Sequence, residues 1–361
     1  MPRRVPRVLT TVLLSLAAVA GTGGWADGTR TTVVTGPPPG AAAWLADTST
    51  GTVPPDPADA TPDEVAAFFA ALSPRQRQEL TERHPLTVGN LDGAPIALRY
   101  AANAESYTRH TGTPPTPGRQ LLAFDPRGRG TLAEVFGDLS AARHTAVVVP
   151  GMDNDLARHG GPAGMARRLH REMTRDPGGA PAAVISWVGY TTPDGYGPDV
   201  ATDRLAAAGA PRLVRLLTGL AVTTGSAPPT LVCHSYGSVV CGTAAPGLAP
   251  ADAGDLVLLG SPGTGARDTA GLRTPARVWA ARGPSDWIAH VPNVRLLGLG
   301  HGTDPASAGF GARLISADDA EGHSGYLDTG TDSLRNVAAI ALNDHGAVVC
   351  APHGQECADA H

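Results

Sequence analysis

The stretch Thr230-Leu-Val-Cys-His-Ser-Tyr-Gly-Ser-Val-Val-Cys-Gly242 sets the fold that the rest of the chain must fit. Its first four residues are apolar or β-favouring, which suits a short strand that is covered on both faces. Gly237 follows Ser235 by two residues, and the chain from Ser238 onward is compatible with a helix. A strand, a tight turn and a helix in this order form a nucleophile elbow, which would expose the Ser235 hydroxyl at the top of a parallel sheet.

The four cysteines fall into two pairs that are close in sequence. Cys233 stands where the elbow usually has glycine, and Cys241 follows on the predicted helix. A disulfide between them and two small buried thiols are both compatible with this spacing. Cys350 and Cys357 lie in a polar C-terminal tail, where in an exported protein a disulfide would add at most about 2–3 kcal/mol.

Composition narrows the class of protein. The 361 residues, 42% of them hydrophobic, are enough for one large domain or two smaller ones. The net charge of −5 leaves no basic footprint for nucleic acid, and the aromatic content of 4% argues against a stacking platform. No glycine loop of the phosphate-binding type is present, so the sequence predicts neither a nucleic-acid partner nor a cofactor.

The N-terminus has the organisation of a signal peptide. Arg3, Arg4 and Arg7 precede an apolar run over 8–20, which ends in Ala18-Val19-Ala20, a plausible cleavage site. The run is short for a membrane span, although an uncleaved anchor is the alternative and would be the protein's one contact with a membrane. We therefore predict a signal peptide over 1–20 and a secreted or cell-envelope protein.

A flexible linker rich in Gly, Pro, Thr and Ala is predicted over 21–60, with one short helix near Ala41. A small helical region over 61–110 follows. Thr61-Pro62-Asp63-Glu64 and Ser73-Pro74-Arg75-Gln76 both have an N-cap residue, proline at the first helical position and a capping-box partner. Pro85 is expected to end the second of these helices, and a third is predicted over 96–104.

From about residue 111 to 345 the pattern alternates between strands and helices. Strands are predicted over 121–124, 145–149, 183–188, 230–233, 256–259, 277–280 and 294–299, and helices over 164–173, 200–220 and 333–342. Strands separated by helices require crossover connections. The fold class is therefore α/β, with a mostly parallel central sheet flanked by helices, followed by a C-terminal tail over 346–361.

A serine hydroxyl needs a base to accept its proton and an acid to orient that base. In folds with this elbow the three groups follow in the order Ser, Asp or Glu, His. Asp286 lies just past the strand over 277–280 and is the best-placed acid. Asp255 begins the preceding strand and so lies at the wrong end, and Asp304 and Asp318 are weaker candidates.

Two histidines are candidates for the base. His301 directly follows the predicted strand over 294–299, and His323 lies in a later loop before the final helix. Position in the sequence does not separate them.

An oxyanion hole needs two backbone N–H donors. One is expected from Tyr236, directly after Ser235. The other is expected from Met152, in the loop after the strand over 145–149, where Gly151 permits close approach.

Two further features have ordinary structural interpretations, and a third is a candidate for the substrate pocket. His234 is expected to pack at the strand end, directed away from the serine. Asp153, Asn154 and Asp155 have no His or Glu at ligand spacing, so we predict a solvated loop and no metal. The loop over 191–197 could line a substrate pocket.

Several segments resemble an actinobacterial α/β-hydrolase family known as a domain of unknown function. The similarity covers about residues 61 to 343. The matching segments are Ala71-Leu72-Ser73-Pro74, Gly89-Asn90-Leu91-Asp92-Gly93, Val149-Pro150-Gly151, Cys233-His234-Ser235-Tyr236-Gly237-Ser238, Gly260-Ser261-Pro262-Gly263, Val278-Trp279-Ala280, Asp304-Pro305, Phe310-Gly311-Ala312, His323-Ser324-Gly325-Tyr326 and Ser333-Leu334-Arg335-Asn336.

The resemblance implies an α/β-hydrolase fold with Ser235 as the nucleophile. It favours His323 over His301 as the base, because the motif around His323 matches the family, and it places Asp286 at the family's acid position. We therefore predict an exported serine hydrolase that cleaves a small acyl ester or an envelope lipid. The alternatives are an acyltransferase or an amidase with the same three residues, or a non-catalytic envelope protein that retains the fold for binding.

Overall fold

The computed structural model describes residues 30–352 and Cys357. The predicted signal peptide, the start of the linker and most of the last residues of the tail lie outside this part of the chain.

One eight-stranded sheet forms the centre of the protein, in the order β1-β2-β4-β3-β5-β6-β7-β8. The strands are β1 Gln120–Asp125, β2 Thr131–Gly137, β3 His144–Val149, β4 Ala182–Val188, β5 Thr230–His234, β6 Asp255–Leu259, β7 Arg277–Ala281 and β8 Arg313–Leu314. β2 runs antiparallel to both β1 and β4, and the remaining pairs are parallel. The predicted mostly parallel sheet is confirmed.

Helices cover both faces of this sheet. They are α1 Ala41–Leu45, α2 Pro62–Ala71, α3 Pro74–Arg83, α4 Pro85–Gly89, α5 Ile96–Thr111, α6 Gly160–Met173, α7 Arg204–Thr223, α8 Gly237–Ala244 and α9 Asp332–Ala341. Apolar residues of α7 and α8 share one buried core with the sheet, and those of α6 and α9 share the other. α7 has the length and composition of a membrane span, but half of its most apolar window is buried in the protein, as in a core helix.

The N-terminal helices form a layer of their own beside β1. Both predicted capping boxes are present, at Thr61 with Glu64 and at Ser73 with Gln76. Trp44 is fully buried at the centre of the layer, with its ring 5.8 Å from that of Phe68. α3 ends at Arg83, shortly before Pro85, as predicted. Because a proline tolerates the first helical position, Pro85 itself begins α4.

One strand prediction is wrong, and two strands, β2 and β8, were not predicted. Residues 294–299 are not a strand of the sheet. The backbone groups of Leu296 and Leu299 hydrogen-bond to each other across a tight turn, and the side chains of both residues are exposed. The eighth strand is β8, which has only two residues. β2 was not predicted because Glu134 interrupts its apolar pattern, and that carboxylate is buried against Arg119 at 3.0 Å.

Candidate active site

Ser235 lies in the turn between β5 and α8, at the carboxyl end of the parallel strands. Its φ angle is 56°, in the left-handed region that non-glycine residues rarely occupy. Its N–H donates to the Leu259 carbonyl at 3.0 Å, which fixes the turn to β6. A Cβ at Gly237 would lie 2.2 Å from the Val149 carbonyl oxygen, so only glycine fits there. This turn has the geometry of the predicted nucleophile elbow.

Cys233 and Cys241 form a disulfide that joins β5 to α8 on either side of the elbow. Both residues are fully buried. Cys350 and Cys357 form a second disulfide near the C-terminus. Of the two interpretations that the sequence left open for Cys233 and Cys241, the structure has the cross-linked one.

The structure brings Ser235, His323 and Asp286 together. The Ser235 Oγ lies 2.7 Å from His323 Nε2, and His323 Nδ1 lies 2.8 Å from Asp286 Oδ1. Because an ionised carboxylate only accepts hydrogen bonds, Nδ1 carries the imidazole proton. Nε2 is therefore left to accept the hydrogen bond from the Ser235 hydroxyl.

Asp286 is held by more than His323. Its Oδ2 accepts a hydrogen bond from the Tyr326 hydroxyl at 2.5 Å, and its Oδ1 accepts one from the Ile288 N–H at 2.9 Å. Burial alone would raise the pKa of Asp286, but the hydrogen bonds from His323 and Tyr326 outweigh it and lower that pKa. Burial, together with the bond to Asp286, raises the pKa of Tyr326, so its hydroxyl remains a donor.

His234 does more than pack at the end of the strand. Its Nε2–H donates to the backbone carbonyl of His323 at 2.5 Å, and the two rings lie 4.9 Å apart. Burial, reinforced by the nearby His323, lowers the pKa of His234 to about 4, so it is neutral at neutral pH. The expectation of a simple packing residue was incomplete, because sequence adjacency to Ser235 did not reveal this contact with His323.

The loop after β3 lies against the elbow. A Cβ at Gly151 would be 2.7 Å from the Ser235 Cβ and 3.1 Å from the Tyr236 nitrogen, so glycine is required for this approach. Among the described residues, the N–H groups of Met152 and Tyr236 donate to no protein acceptor. Both predicted oxyanion donors thus keep a free N–H in the two segments that meet at Ser235.

Two side chains fix the position of this loop, one from the loop itself and one from the loop after β4. Asn154 donates through Nδ2 to the carbonyls of Gly151 and Met152, at 3.2 and 2.7 Å. The Tyr190 hydroxyl, fully buried, donates to the Pro150 carbonyl at 2.7 Å. Neither contact was predicted, since each depends on a partner that is distant in sequence or on the loop's own conformation.

The expectation that residues 153–155 form a solvated loop is wrong for Asp155. This carboxylate is 6% exposed and pairs with Arg158 at 2.8 Å and with Arg129 at 3.1 Å. Asp153 accepts a hydrogen bond from the Gly195 N–H at 2.8 Å, which ties the loop to the predicted pocket loop over 191–197. Within the described residues, no group of three or more His, Cys, Asp or Glu side chains could hold a metal ion.

In the described part of the chain, none of the other candidates for base and acid forms a hydrogen bond with the side chain of Ser235 or His323. His301 donates through Nε2 to the Val200 carbonyl at 2.8 Å and packs edge-on against the Tyr236 ring. Asp304 pairs with Arg282, and Asp318 is exposed. Asp255 binds Arg277 and Trp279 at the opposite end of the sheet, as its place at the start of a strand predicted.

Aromatic side chains that the sequence did not single out border the site. The Trp287 ring lies 4.7 Å from the His323 ring, and the Tyr196 ring lies 6.1 Å from that of Trp287. Trp287 directly follows Asp286, so the segment that places Asp286 against His323 also places an apolar ring beside that histidine.

The fold and the site are those of the α/β-hydrolase class: a mostly parallel sheet with a serine elbow at the carboxyl end of a central strand. A family model described as alpha/beta hydrolase matches residues 125–296. The uncharacterized protein Mb0988c of Mycobacterium bovis is 34% identical over 48% of this chain and 70% of its own length. The chain belongs to this alpha/beta hydrolase family, and the resemblance to an actinobacterial family is confirmed.

A longer relative matches more of the chain. The uncharacterized protein Rv2079 of Mycobacterium tuberculosis is 29% identical over 78% of this chain, which spans 56% of that relative. Among solved structures, the esterase domain of a Rhodothermus marinus protein is 15% identical, covers 62% of this chain and 95% of its own, and has a TM-score of 0.35. A predicted CIB-like hydrolase from Thermoplasma acidophilum is 13% identical over 63% of this chain and 96% of its own, with a TM-score of 0.36. Likeness at this level carries no argument about activity.

Proposed function

We propose that this hydrolase cleaves carboxylic esters through an acyl-enzyme on Ser235. The observation that carries the proposal is the hydrogen-bonded chain from Ser235 Oγ through both nitrogens of His323 to Asp286, at 2.7 and 2.8 Å. A nucleophile, a base in reach of it and an acid that orients the base are the parts that serine acyl transfer needs.

The proposed reaction begins when His323 Nε2 takes the Ser235 proton as Oγ attacks the ester carbonyl carbon. The carbonyl oxygen becomes an oxyanion, which the N–H groups of Met152 and Tyr236 would stabilise. As the tetrahedral intermediate collapses, the protonated His323 gives its proton to the departing alkoxide. Water then attacks the acyl-enzyme, His323 accepts a proton from it, and the acid leaves as Ser235 recovers its hydrogen.

Labelling with a fluorophosphonate tests this proposal directly. The phosphorus should bond to Ser235 Oγ with loss of fluoride, and the intact mass should rise by one phosphonyl group. Ser235→Ala should stay unlabelled. A wild-type protein that stays unlabelled under conditions in which other serine hydrolases react would refute the proposal.

The assignment of the base can be tested separately. On a series of p-nitrophenyl acyl esters, His323→Ala should lose turnover by about 10³-fold or more, because the serine loses its base. His301→Ala serves as the matched variant, since it removes a buried imidazole that lies beside Tyr236 without reaching Ser235. Loss of turnover in the His301 variant alone would reverse the assignment.

We also propose that the protein acts outside the cytoplasm. Two disulfides among the described residues support this, because disulfides persist in oxidising compartments. Fractionation of an expressing actinobacterial host, with mass analysis of the N-terminus, would test export and cleavage together. Protein found only in the cytoplasm, with its N-terminal run intact, would contradict the proposal.

A further inference from the structure

Most of the exposed large apolar side chains lie in two regions, one at the proposed catalytic histidine and one in a hairpin over 294–299. Nine large apolar side chains are exposed among the described residues. Tyr196 and Trp287 pack on each other at His323. Four more lie over 294–299, a segment that is bound through the Gly300 N–H to Ala201, five residues after Tyr196. We call these six the apolar rim: Tyr196, Trp287, Val294, Leu296, Leu297 and Leu299. A surface that carries most of its exposed apolar groups on two connected segments is expected to bind an apolar partner.

The most exposed member is at the tip of a tight hairpin. Leu296 and Leu299 exchange both backbone hydrogen bonds, at 2.9 Å each, so Leu297 and Gly298 form a two-residue turn. Both have positive φ, 51° and 82°, the arrangement that favours Asn-Gly. Here a leucine takes the first place and is 95% exposed. Leu297 thus combines a strained backbone with a side chain that is exposed to solvent. Both features reduce the stability of the folded protein.

The base of this hairpin is anchored near the elbow. The Gly300 N–H donates to the Ala201 carbonyl at 2.8 Å, and Arg295 pairs with Asp203 at 2.6 Å. Thr202 lies between Ala201 and Asp203, and its backbone carbonyl accepts a hydrogen bond from the Tyr236 hydroxyl at 2.6 Å. The hairpin is therefore bound to residues 201–203, the segment that accepts the hydrogen bond from Tyr236, next to Ser235. The leucine side chains of the hairpin are exposed.

We propose that the apolar rim seats the protein on a lipid surface and that the hairpin tip inserts among acyl chains. Because the flanking leucines satisfy each other's backbone groups, the tip can leave water at a lower cost than an open loop. Charge does not oppose this contact: residues 287–303 contain no Asp or Glu, and Arg295 is neutralised by Asp203. Such a segment is not repelled by anionic headgroups. The Asp194 carboxylate, near Tyr196 in sequence, is paired with Arg158 at 2.9 Å.

The apolar rim also indicates a substrate class, and this step rests on the proposed function. Trp287 contacts His323 and so continues the rim to the reacting groups. A surface that docks the lipid on one side of Ser235 would deliver a long-chain acyl ester from an aggregate. The substrate class would then be a membrane-borne or micellar acyl lipid, and short soluble esters would be poorer substrates.

The test measures partition of the full chain into vesicles of phosphatidylcholine with phosphatidylglycerol by co-sedimentation. Leu297→Asn should lower the partition coefficient by about tenfold, the loss expected when one leucine no longer enters an apolar phase. Asparagine tolerates positive φ, so the same variant should melt at or above the wild-type temperature, and unfolding would not explain the loss. Leu297→Phe should retain partition.

Val53→Asn is the matched control, since Val53 is 84% exposed and far from the elbow in sequence. It should partition as the wild type does. Every variant carries the same N-terminal apolar run, so the difference between variants reports on Leu297. Equal partition of wild type and Leu297→Asn would overturn the proposal, as would a wild-type dimer that Leu297→Asn dissociates without any change in partition.

Turnover tests the substrate class independently of docking. The ratio of turnover on a vesicle-borne long-chain ester to that on soluble p-nitrophenyl acetate should fall in Leu297→Asn. An unchanged ratio would overturn the substrate class alone. If the wild type hydrolyses neither ester, the proposed function fails, and vesicle partition still decides the docking surface.

Discussion

At the scale of single residues, the buried His234 makes the stability of the folded protein depend on pH. The unfolded chain would protonate this histidine near its ordinary pKa of 6.5, whereas the folded protein keeps it neutral to about 4. Between these values the unfolded state binds more protons, so the free energy of unfolding falls as the pH is lowered from about 6.5 to 4. The loss attributable to His234 is about 3 kcal/mol.

His234→Gln should remove this dependence while its amide still donates to the His323 carbonyl. Urea denaturation at several pH values between 7 and 4 should give a shallower decline for the variant than for the wild type. His290→Gln is the control, because His290 is exposed and should leave the decline unchanged. Parallel curves for wild type and His234→Gln would show that another group dominates acid sensitivity.

Tyr326 is expected to act through Asp286 as a positioning residue. Its hydroxyl donates to Asp286 and accepts from the Gly283 N–H at 3.0 Å. Tyr326→Phe should lower kcat on the esters of the proposed function by about tenfold or more, since a hydrogen bond to a charged group is lost. KM should hold, because the ring remains in place.

The pH profile separates this role from a purely structural one. Without the Tyr326 hydroxyl the pKa of Asp286 should rise, so the acid limb of the kcat profile should move to higher pH. Tyr107→Phe, in α5, is the control and should change neither kcat nor the profile. An unmoved acid limb in Tyr326→Phe would contradict the assignment.

At the scale of elements, the Cys233–Cys241 disulfide fixes β5 to α8 across the turn that holds Ser235. The double variant Cys233→Ala/Cys241→Ala should lose about 2–3 kcal/mol of unfolding free energy, from the entropy that the unfolded chain regains. Turnover should also fall, because the elbow loses the link that opposes relaxation of the positive φ at Ser235.

The second disulfide supplies a matched comparison. Cys350→Ala/Cys357→Ala removes a link of similar span, with a separation of seven residues instead of eight. Urea denaturation should show a comparable loss of stability, while turnover on a soluble ester stays at the wild-type rate. Equal effects of both double variants on turnover would mean that the elbow does not depend on its own link.

At the scale of the whole molecule, sequence predicted the strands that are buried on both faces. β3, β5 and β6 are short apolar or β-branched runs, and such runs have few alternatives in an α/β chain. β2 was not predicted, because the burial of Glu134 depends on its ion pair with Arg119, and the local sequence pattern does not reveal that partner. Residues 294–299 have strand propensity, but their large apolar side chains are exposed in the structure. Strand propensity alone does not predict whether a segment will be buried in a sheet.

The candidate site was predictable to a similar extent. The elbow and the order Ser235, Asp286, His323 are local or ordered features, and the structure brings these three side chains together. The choice between His301 and His323 needed the family resemblance, since both follow the elbow at plausible distances. The groups that hold the site, such as His234 and Tyr326, form contacts that only the folded chain creates.

The N-terminal layer and the sheet should unfold together. Buried amides join them: Asn103 donates to the Leu121 carbonyl at 3.1 Å, and Asn90 donates to the Phe124 carbonyl at 2.8 Å. Opening the layer would break both hydrogen bonds, at about 0.5–1.5 kcal/mol each. It would also expose Leu121 and Phe124 of β1, against which Leu86 and Tyr107 of the layer pack. The N-terminal layer is therefore expected to unfold only together with the sheet.

Trp44→Ala tests this coupling from the core of the layer. Removing the fully buried ring, together with its hydrogen bond to the Pro55 carbonyl, should cost about 3–5 kcal/mol. Far-UV circular dichroism and turnover, followed against urea, should keep a common midpoint that moves to lower urea in the variant. Leu45→Ala is the control: its side chain is 40% exposed, so the midpoint should scarcely move. Two separated transitions in Trp44→Ala, with turnover surviving the first, would show that the sheet carries the site without the helical layer.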